Sequence, residues 1–292
     1  MTIWNLGSIN LDFVYELAEF PKSGETVVAR QKTEFLGGKG TNISVAAVRA
    51  AAHVIHIGSV GSDGHWAVER LMEYGVDTSQ ISVVDEMTGH AIIVVDQFGE
   101  NQIIVFPGAN RKIPTDGIKA ALSSAQPGDF LVVQNETNAQ IEAAILGHRL
   151  GITVCYVAAP FDDTALSSVL PFIDLLILNE VEALQLEKSK SCSLLDLSVN
   201  DVIVTRGKNG SRWFQLSSRS IQDFPTRQAR AIDTTGAGDT FAGFLLAGLH
   251  QGLVMQQAIS QANLAASIMV TRHGTADVIP DLKDVQDLML SK

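Results

Sequence analysis

Short apolar runs recur along the chain and alternate with longer stretches typical of helices. Each run is four to seven residues long and almost uniformly apolar, as expected of strands buried on both faces of a parallel sheet. We predict strands at residues 2–8, 54–60, 130–134, 152–157, 174–178 and 202–205. We predict helices at residues 42–52, 66–74, 116–124, 139–150, 180–187, 237–250 and 256–271. This alternation is typical of βαβ units, and therefore of an α/β fold with a mostly parallel central sheet.

Two stretches do not follow this alternation. Residues 10–33 hold Pro21 and Gly24 between predicted strands at 13–20 and 26–30, and residues 90–106 place two apolar segments around Gly99, a hairpin signal. Together they predict a small β-strand lid that stands off the main sheet and has little core of its own. No repeat, low-complexity tract or linker divides the chain, so we predict one domain over residues 1–292.

Composition and charge exclude several classes of protein. Hydrophobic residues make up 46% of the 292 residues and charged residues 18%, which can fill a large core and excludes a disordered chain. The formal net charge of −11 argues against nucleic acid as a partner, because a phosphate backbone needs a basic surface. Cys155 and Cys192 are too few for a disulfide framework or a thiolate metal cluster. No run approaches the roughly 18 apolar residues of a membrane span, and residues 1–7 do not resemble a signal peptide, so we expect a cytoplasmic protein.

The segment with the clearest chemical content is Asp233-Thr-Thr-Gly-Ala-Gly-Asp239, which leads into a predicted helix. Gly236 and Gly238 allow a tight turn that exposes successive N–H groups at the helix N-terminus, where anions bind. A carboxylate in the same turn would repel a phosphate unless it faces a hydroxyl group that attacks the phosphate. The alternative is an acidic residue that only stabilises the helix N-terminus. The length of the segment and its second aspartate favour the chemical interpretation.

Two further segments are candidates for ligand binding. Phe35-Leu-Gly-Gly-Lys-Gly-Thr-Asn42 allows close approach of the backbone to a ligand and adds polar groups before a helix. Asn10 and Asp12 follow the first predicted strand, where α/β sheets bind ligands, and their side chains suit neighbouring hydroxyl groups of a polyol. Taken alone, the glycine-rich segment is explained equally well by an ordinary loop before a helix, and Asn10 and Asp12 are explained better by a turn after a strand. The chain has no Gly-Lys-Ser/Thr motif, so a P-loop NTPase is not supported. Gly236-x-Gly238 comes too late in the chain for the early βαβ unit of a dinucleotide-binding fold, so a dinucleotide-dependent dehydrogenase is not supported either.

In this order and spacing, the segments resemble the signatures of the ribokinase-like carbohydrate kinases, also called the PfkB family. The resemblance covers essentially the whole chain and rests on Gly37-Gly38-Lys39-Gly40-x-Asn42 and on the segment that ends at Asp239. It implies a three-layer α/β/α fold with a small β lid, and ATP-dependent transfer of the γ-phosphoryl group to a sugar hydroxymethyl group. It also implies that Asp239 is the general base and that the amides of Gly236, Ala237 and Gly238 form an anion hole.

Within this family, several short runs are most similar to the ribokinases. These runs are Gly7-Ser-Ile-Asn-Leu-Asp12, Thr88-Gly-His-Ala91, Gly99-Glu-Asn101, Pro107-Gly-Ala-Asn110 and Gln134-Asn-Glu136. The likeness implies that the substrate is D-ribose, with contacts from Asn10, Asp12, Gly38, Lys39, Asn42, Glu136 and Asp239. Fructose, another pentose or a nucleoside remain open as substrates. A non-catalytic sugar- or nucleotide-binding sensor is a more remote alternative, since a sensor has no need of a base in an anion hole.

The resemblance also implies where the nucleotide and its ions bind. The implied nucleotide contacts are Asn179, Thr205, Gly207, Gly238 and Asn263, and Glu182 is implied to act indirectly on the Mg²⁺ that accompanies ATP. Ribokinases bind a monovalent cation as well, and a K⁺ site is implied at Asp233, Thr235, Met269, Arg272 and Gly274.

The sequence departs from the ribokinase pattern at three places. Val278 replaces a small polar residue beside the implied K⁺ site, and Val157-Ala-Ala-Pro160 lacks the asparagine that ribokinases carry there. The stretch between Glu182 and Val202 is also short, which could alter nucleotide preference. None of these departures removes the proposed base.

The predicted lid carries two further expectations. We expect it to close over the sugar and exclude water, which would otherwise accept the phosphoryl group. Exposed lid strands commonly pair with a second chain to cover their edges, so we also expect a homodimer formed through the lid.

Overall fold

The computed structural model describes residues 1–290, and strands and helices alternate through most of them. The strands are β1 (Ile3–Leu6), β2 (Asn10–Glu16), β3 (Gln31–Gly37), β4 (Val54–Val60), β5 (Asp77–Val83), β6 (Gly89–Val95), β7 (Asn101–Phe106), β8 (Phe130–Gln134), β9 (Thr153–Val157), β10 (Leu175–Asn179), β11 (Asp201–Thr205), β12 (Ser211–Gln215) and β13 (Ser220–Phe224). The α-helices are α1 (Lys39–Arg49), α2 (His65–Glu73), α3 (Thr115–Leu122), α4 (Gln140–Leu150), α5 (Asp163–Val169), α6 (Glu180–Lys190), α7 (Ala237–His250), α8 (Met255–Met269) and α9 (Leu282–Leu290).

The large sheet has nine strands in the order β13-β12-β11-β10-β9-β8-β1-β4-β5. Its pairings are parallel from β5 to β11, and β12 and β13 continue the sheet in antiparallel pairing. The chain builds outward from β1 to β4 and β5 on one side, and then returns to β8 on the other side. Ligands of open α/β sheets bind at the carboxyl ends of the strands beside such a switch in strand order. The fold therefore directs attention to the ends of β1 and β8.

Helices cover both faces of the large sheet, which gives three layers. Ile3 of β1 faces a core shared with α1, α7 and α8, whereas Trp4 and Leu6 face a core shared with α3 to α6. The four residues of β1 are all buried, because β1 lies between β4 and β8 and helices cover both faces of the sheet. The observed architecture confirms the predicted three-layer α/β/α fold with a mostly parallel sheet.

A second sheet of four strands, in the order β3-β2-β6-β7, corresponds to the predicted lid. The β2–β6 pair is parallel and the two outer pairs are antiparallel. The strand predicted at residues 26–30 is wrong, because these residues lie outside regular structure and the partner of β2 is β3, which extends past residue 33 to Gly37. Val28 is exposed, so the β-branched residues there indicate strand propensity without a partner to pair with.

The remaining predicted strands and helices of the three layers are confirmed to within three residues at either end. Strands β5, β12 and β13 and helices α5 and α9 were not predicted from the sequence. Within residues 1–290, every helix is too short or too polar to cross a membrane.

Candidate active site

Asp239 lies in the first turn of α7 and is buried, with 6% of its surface exposed. Its Oδ2 accepts a hydrogen bond of 2.9 Å from Nδ2 of Asn42, which lies on α1. The two helices approach closely, because an ideal Cβ on Gly243 would lie 2.5 Å from Cβ of Ala46. Tight packing of α1 against α7 therefore fixes the carboxylate relative to the glycine-rich segment of α1.

The turn before α7 requires a glycine. Gly236 is the N-cap residue and has φ of 74°, a left-handed conformation that residues with a Cβ rarely adopt. No side chain caps this helix, and the N–H of Ala237 donates to the carbonyl of Thr234 at 3.3 Å, so the N–H groups of Gly236 and Gly238 are the ones that remain available to a ligand. Amides at a helix N-terminus attract anions, and here they lie beside the buried carboxylate of Asp239.

The buried side chains of Asn10 and Asp12 and the half-buried side chain of Glu136 form a polar group next to this turn, beyond the ends of β1 and β8. Oδ1 of Asn10 accepts a 2.7 Å hydrogen bond from Asn110, which leaves the amide nitrogen of Asn10 as a donor for a ligand. Burial and the charge of Glu136 raise the pKa of Asp12 to about 7. Glu136 accepts hydrogen bonds from the hydroxyl of Ser8 and from the backbone N–H of Lys39.

Lys39 interacts electrostatically both with Asp239 at the start of α7 and with Glu136 of the polar group. The negative charge of Asp239 raises the pKa of Lys39, and Glu136 and Glu182 act in the same direction against the opposing effect of burial. The lysine is therefore a cation surrounded by three carboxylates. Such a charge is well placed to neutralise a phosphoryl group that approaches Asp239.

A cleft of about 530 Å³ opens from Lys39 and Asp239 toward the edge of the large sheet. The residues predicted at the nucleotide site and in the anion hole all line it, together with Thr235 and Glu182: Asn179, Thr205, Gly207, Gly236, Ala237, Gly238 and Asn263. Gly38, the buried side chains of Asn10, Asp12 and Asn42, and the half-buried side chain of Glu136 do not border this cleft directly. They lie behind Lys39 and Asp239, so the site has a buried part and an open part.

The side chains of the open part are largely engaged within the protein. Asn179 is the N-cap of α6, and its side chain and that of Glu182 form a reciprocal capping box. Asn263 donates to Oγ of Ser211 and to the carbonyl of Phe224. Thr205 donates to the carbonyl of Leu178. Asn179 and Glu182 therefore stabilise the start of α6 and also line the cleft.

The residues implied at the K⁺ site come together at the base of α7. Oδ1 of Asp233 accepts from the backbone N–H of Thr235 at 2.9 Å, and Oδ2 accepts from that of Gly274 at 3.3 Å. The carbonyl of Met269 accepts from the N–H of Arg272. Val278 turns its side chain toward Gly274, where an ideal Cβ would lie 3.6 Å from a Val278 methyl group. The donor set fits a cation in part, since Val278 supplies no oxygen.

The arrangement also fits Mg²⁺ carried by a nucleotide. Among residues 1–290, no group of three or more His, Cys, Asp or Glu side chains could hold a metal ion by itself. Mg²⁺ is commonly bound by one or two carboxylates together with substrate phosphates. Glu182 and Asp239 both border the cleft and could serve in this way, directly or through water.

Sequence reasoning missed Ser8 and Asn110. Ser8 donates to Glu136 and accepts from the N–H of Gly40 at 3.2 Å, so it joins two loops of the buried part. Asn110 is 1% exposed and holds both the backbone of Ile9 and the side chain of Asn10. Both residues lie in short runs that resemble ribokinase sequences, and this resemblance was the only sequence feature that could have identified them.

Comparison with known proteins agrees with this geometry. A family model described as pfkB family carbohydrate kinase matches residues 3–282. The chain is 34% identical over an alignment of 306 residues to the ribokinase of Haemophilus influenzae, which covers 99% of this chain and 98% of that one. It is 28% identical over 304 residues to the deoxyribokinase of Salmonella typhi, which covers 99% of each chain.

Solved structures give the same result for the fold. The ribokinase of Arabidopsis thaliana complexed with ribose and ATP superposes with a TM-score of 0.88 at 28% identity, and covers 100% of this chain and 99% of that one. A nucleoside kinase of Burkholderia thailandensis in complex with inosine has a TM-score of 0.85 at 20% identity, with 99% and 95% coverage, which is a likeness of fold alone. The chain belongs to the pfkB family of carbohydrate kinases and is an ATP-dependent sugar kinase.

Proposed function

We propose that this kinase transfers the γ-phosphoryl group of ATP to the hydroxymethyl group of D-ribose, giving ribose 5-phosphate. The observation that carries the proposal is the polar group behind Lys39, in which the buried Asn10 and Asp12 and the half-buried Glu136 offer closely spaced acceptors and donors. Such a set suits the adjacent hydroxyl groups of a small sugar. Asn42 and Asp239 complete this group on the side of the cleft. The 34% identical ribokinase relative supports the same substrate.

In the proposed reaction, Asp239 orients the sugar hydroxyl and takes its proton as the new P–O bond forms. The bond between the γ-phosphorus and the bridging oxygen of ATP breaks, and ADP leaves with the electron pair. The N–H groups of Gly236, Ala237 and Gly238, together with Lys39, stabilise the charge on the moving phosphoryl group. Mg²⁺, when bound with ATP, supplies further neutralisation of the phosphates.

The substrate is tested by a coupled ADP-release screen with Mg·ATP and K⁺. Ribose, 2-deoxyribose, fructose, other sugars and nucleosides are compared by kcat/KM. We expect ribose to exceed every other acceptor. A higher kcat/KM for 2-deoxyribose, fructose or a nucleoside would reject ribose and identify the alternative substrate. The absence of transfer to any acceptor would support a binding protein instead.

We also propose K⁺ as an activator, held by the carboxylate of Asp233 and by backbone carbonyls at Thr235, Met269, Arg272 and Gly274. The two hydrogen bonds from Asp233 to the N–H groups of Thr235 and Gly274 support this site, because they bring both segments together beneath the anion hole. Replacing K⁺ with Na⁺ or Tris should lower turnover. Unchanged turnover would remove the K⁺ proposal and leave the kinase proposal intact.

A homodimer through the lid is proposed on the character of β7. All six residues of β7 are exposed, and Ile103, Ile104 and Val105 each expose more than half of their surface. The strand pairs with β6 along one side only, so its other edge is open to a second chain. We expect a dimer by light scattering and a monomer after Ile104→Lys. A wild-type monomer would refute this proposal.

A further inference from the structure

Four polar side chains interrupt the apolar core at the centre of the large sheet. Asn5 lies on β1, Ser44 on α1, His56 on β4 and Gln134 on β8, and each has no exposed surface. Asn5 and His56 are direct neighbours in the β1–β4 register. Burying such groups costs free energy unless they are hydrogen-bonded, so their position in the core calls for a physical reason.

Hydrogen bonds connect these side chains into one chain. Nδ2 of Asn5 donates to the carbonyl of Gly40 and to Oγ of Ser44, each at 2.7 Å. Nε2 of Gln134 donates to Oδ1 of Asn5 at 2.8 Å. Oγ of Ser44 lies 2.9 Å from Nδ1 of His56, and Nε2 of His56 lies 3.1 Å from the carbonyl of Gly7.

The direction of each bond follows from the partner groups. A carbonyl only accepts, so Nε2 of His56 carries the proton that faces Gly7, and Nδ1 accepts from the hydroxyl of Ser44. That hydroxyl in turn accepts from Asn5. Burial lowers the pKa of His56 to about 4, so the neutral ring persists at physiological pH. One set of donor directions therefore satisfies every link from Gln134 to Gly7.

The hydrogen-bonded chain ends on three loops of the proposed sugar site. The carbonyl of Gly7 precedes Ser8, whose hydroxyl donates to Glu136. Gly40 follows Lys39 and contacts Gly7 so closely that an ideal Cβ on Gly40 would lie 2.4 Å from Cα of Gly7. Gln134 lies two residues before Glu136. A shift in any link would change the spacing between Lys39 and Glu136.

We propose that Asn5, Ser44, His56 and Gln134, here called the buried polar chain, are positioning residues for sugar binding. They hold the loops of Gly7, Gly40 and Glu136 at the spacing that the sugar hydroxyl groups require. The inference rests on the proposed function for the place of the sugar. None of the four residues borders the nucleotide cleft, so their effect falls on the sugar and not on Mg·ATP.

The test is His56→Phe in the full chain, which keeps a ring in place and removes both hydrogen bonds. We expect KM for the sugar to rise about tenfold, equivalent to about 1.4 kcal/mol, with KM for Mg·ATP within twofold of wild type. His56→Gln, whose amide N–H can reach the carbonyl of Gly7, should recover most of the loss. Isothermal titration with sugar alone, without nucleotide, should show the same weakening of affinity.

Ser59→Ala is the matched control on the same strand. Ser59 is fully buried, and its hydroxyl has no hydrogen-bond partner among residues 1–290. This variant should leave both KM values unchanged. Ser44→Ala removes the middle link of the buried polar chain with a smaller change in volume, and replaces His56→Phe in the same comparison if the latter does not fold.

Three results would overturn the proposal: equal changes in both KM values, an unchanged sugar KM in the folded variant, or a Gln variant no better than Phe. The sugar used is the one that wild-type protein phosphorylates with the highest kcat/KM. Failure of the ribose proposal would therefore appear in the wild-type screen, before any variant is compared. The test of the buried polar chain would then proceed with the other sugar.

Discussion

The two parts of the active site are built differently. In the proposed sugar part, Asp12, Asn42 and Asp239 are buried and held by hydrogen bonds or charges that cross between distant elements. In the proposed nucleotide part, Asn179 and Gly207 are exposed, and the side chain of Asn179 caps its own helix. A rigid, desolvated site discriminates among ligands strongly, because a ligand that leaves a buried polar group unpaired is rejected. We therefore expect stricter selection of the sugar than of the nucleotide.

The largest expected effect is that of Asp239→Asn. Turnover should fall by about 10²–10⁴-fold, because the amide cannot accept the proton of the hydroxyl group. The variant should fold and bind sugar, since its side-chain oxygen can still accept the hydrogen bond from Asn42. Steady-state kinetics and sugar titration measure the two properties separately.

Asp116→Asn is the control for this change. Asp116 also lies in the first turn of a helix, α3, but its side chain is exposed and pairs only with Lys119 on the surface. It should keep full turnover. Near-normal turnover in Asp239→Asn would reject the role of Asp239 as the base.

The next largest effect is expected at the turn before α7, which exposes the N-terminal amides of that helix. Gly236→Ala should lower turnover by about 10²-fold and lower the melting temperature by a few degrees, because a left-handed residue with a Cβ costs about 1–2 kcal/mol. Its methyl group would also lie 3.2 Å from Cε of Met269. Kinetics and thermal unfolding provide the two measurements.

Gly238→Ala separates the two effects. An ideal Cβ at Gly238 meets no protein atom within 4 Å, so the melting temperature should stay at its wild-type value. Turnover should still fall, because the methyl group enters the proposed phosphate site. A loss of stability equal to that of Gly236→Ala would contradict this account of the turn.

The pH dependence of sugar binding should show an effect of about tenfold. With a pKa of about 7, Asp12 is mostly ionised at pH 8 and mostly protonated at pH 6. The ionised form accepts hydrogen bonds from two sugar hydroxyl groups, so KM for the sugar should rise by up to about tenfold between pH 8 and pH 6. KM for Mg·ATP should change much less. Kinetics at fixed ionic strength test the difference, and a sugar KM independent of pH would exclude this role.

The raised pKa of Asp12 also predicts how the free energy of unfolding changes with pH. Between the ordinary pKa of 3.8 and the folded value of about 7, the folded protein holds a proton on Asp12 that the unfolded chain has lost. The contribution of Asp12 to stability therefore falls as pH rises through this range. Asp12→Asn should be more stable than wild type at pH 8, and the difference should shrink toward pH 4 in denaturant unfolding.

The smallest expected effect concerns the nucleotide part. Asn179→Ala should raise KM for Mg·ATP a few-fold and leave the sugar KM unchanged, since a single neutral hydrogen bond contributes about 0.5–1.5 kcal/mol. Asn179→Ser retains an N-cap acceptor, and so should restore the stability of α6 but not the affinity for Mg·ATP. Full recovery of the KM by serine would assign Asn179 a capping role only.

The apolar runs were sufficient to predict the central strands and the three layers, because strands buried on both faces carry an unbroken signal. They were insufficient for β5 and β13, whose residues are half-buried or exposed apart from Phe224 at the end of β13. The opposite error occurred at the exposed Val28, where a strand was predicted and none is present. β-branched residues form a strand only where a partner strand is available. Edge strands depend on tertiary pairing, which local sequence does not encode.

The motifs likewise predicted which residues gather at the site but not how they are held. Asn42 and Asp239 are 197 positions apart in sequence, and their hydrogen bond depends on the packing of α1 against α7. Ser8 and Asn110 were missed because a buried polar residue acquires its role only from the neighbours that folding brings to it.

The strand β2 belongs to the lid sheet and yet carries Asn10 and Asp12. An acceptor bound at the proposed site by these two side chains would therefore be attached to the lid sheet itself. Binding of the acceptor should close the lid over the site before ATP binds. The kinase would thus be biased toward an ordered sequence of arrivals, which limits wasteful hydrolysis of ATP when no acceptor is present.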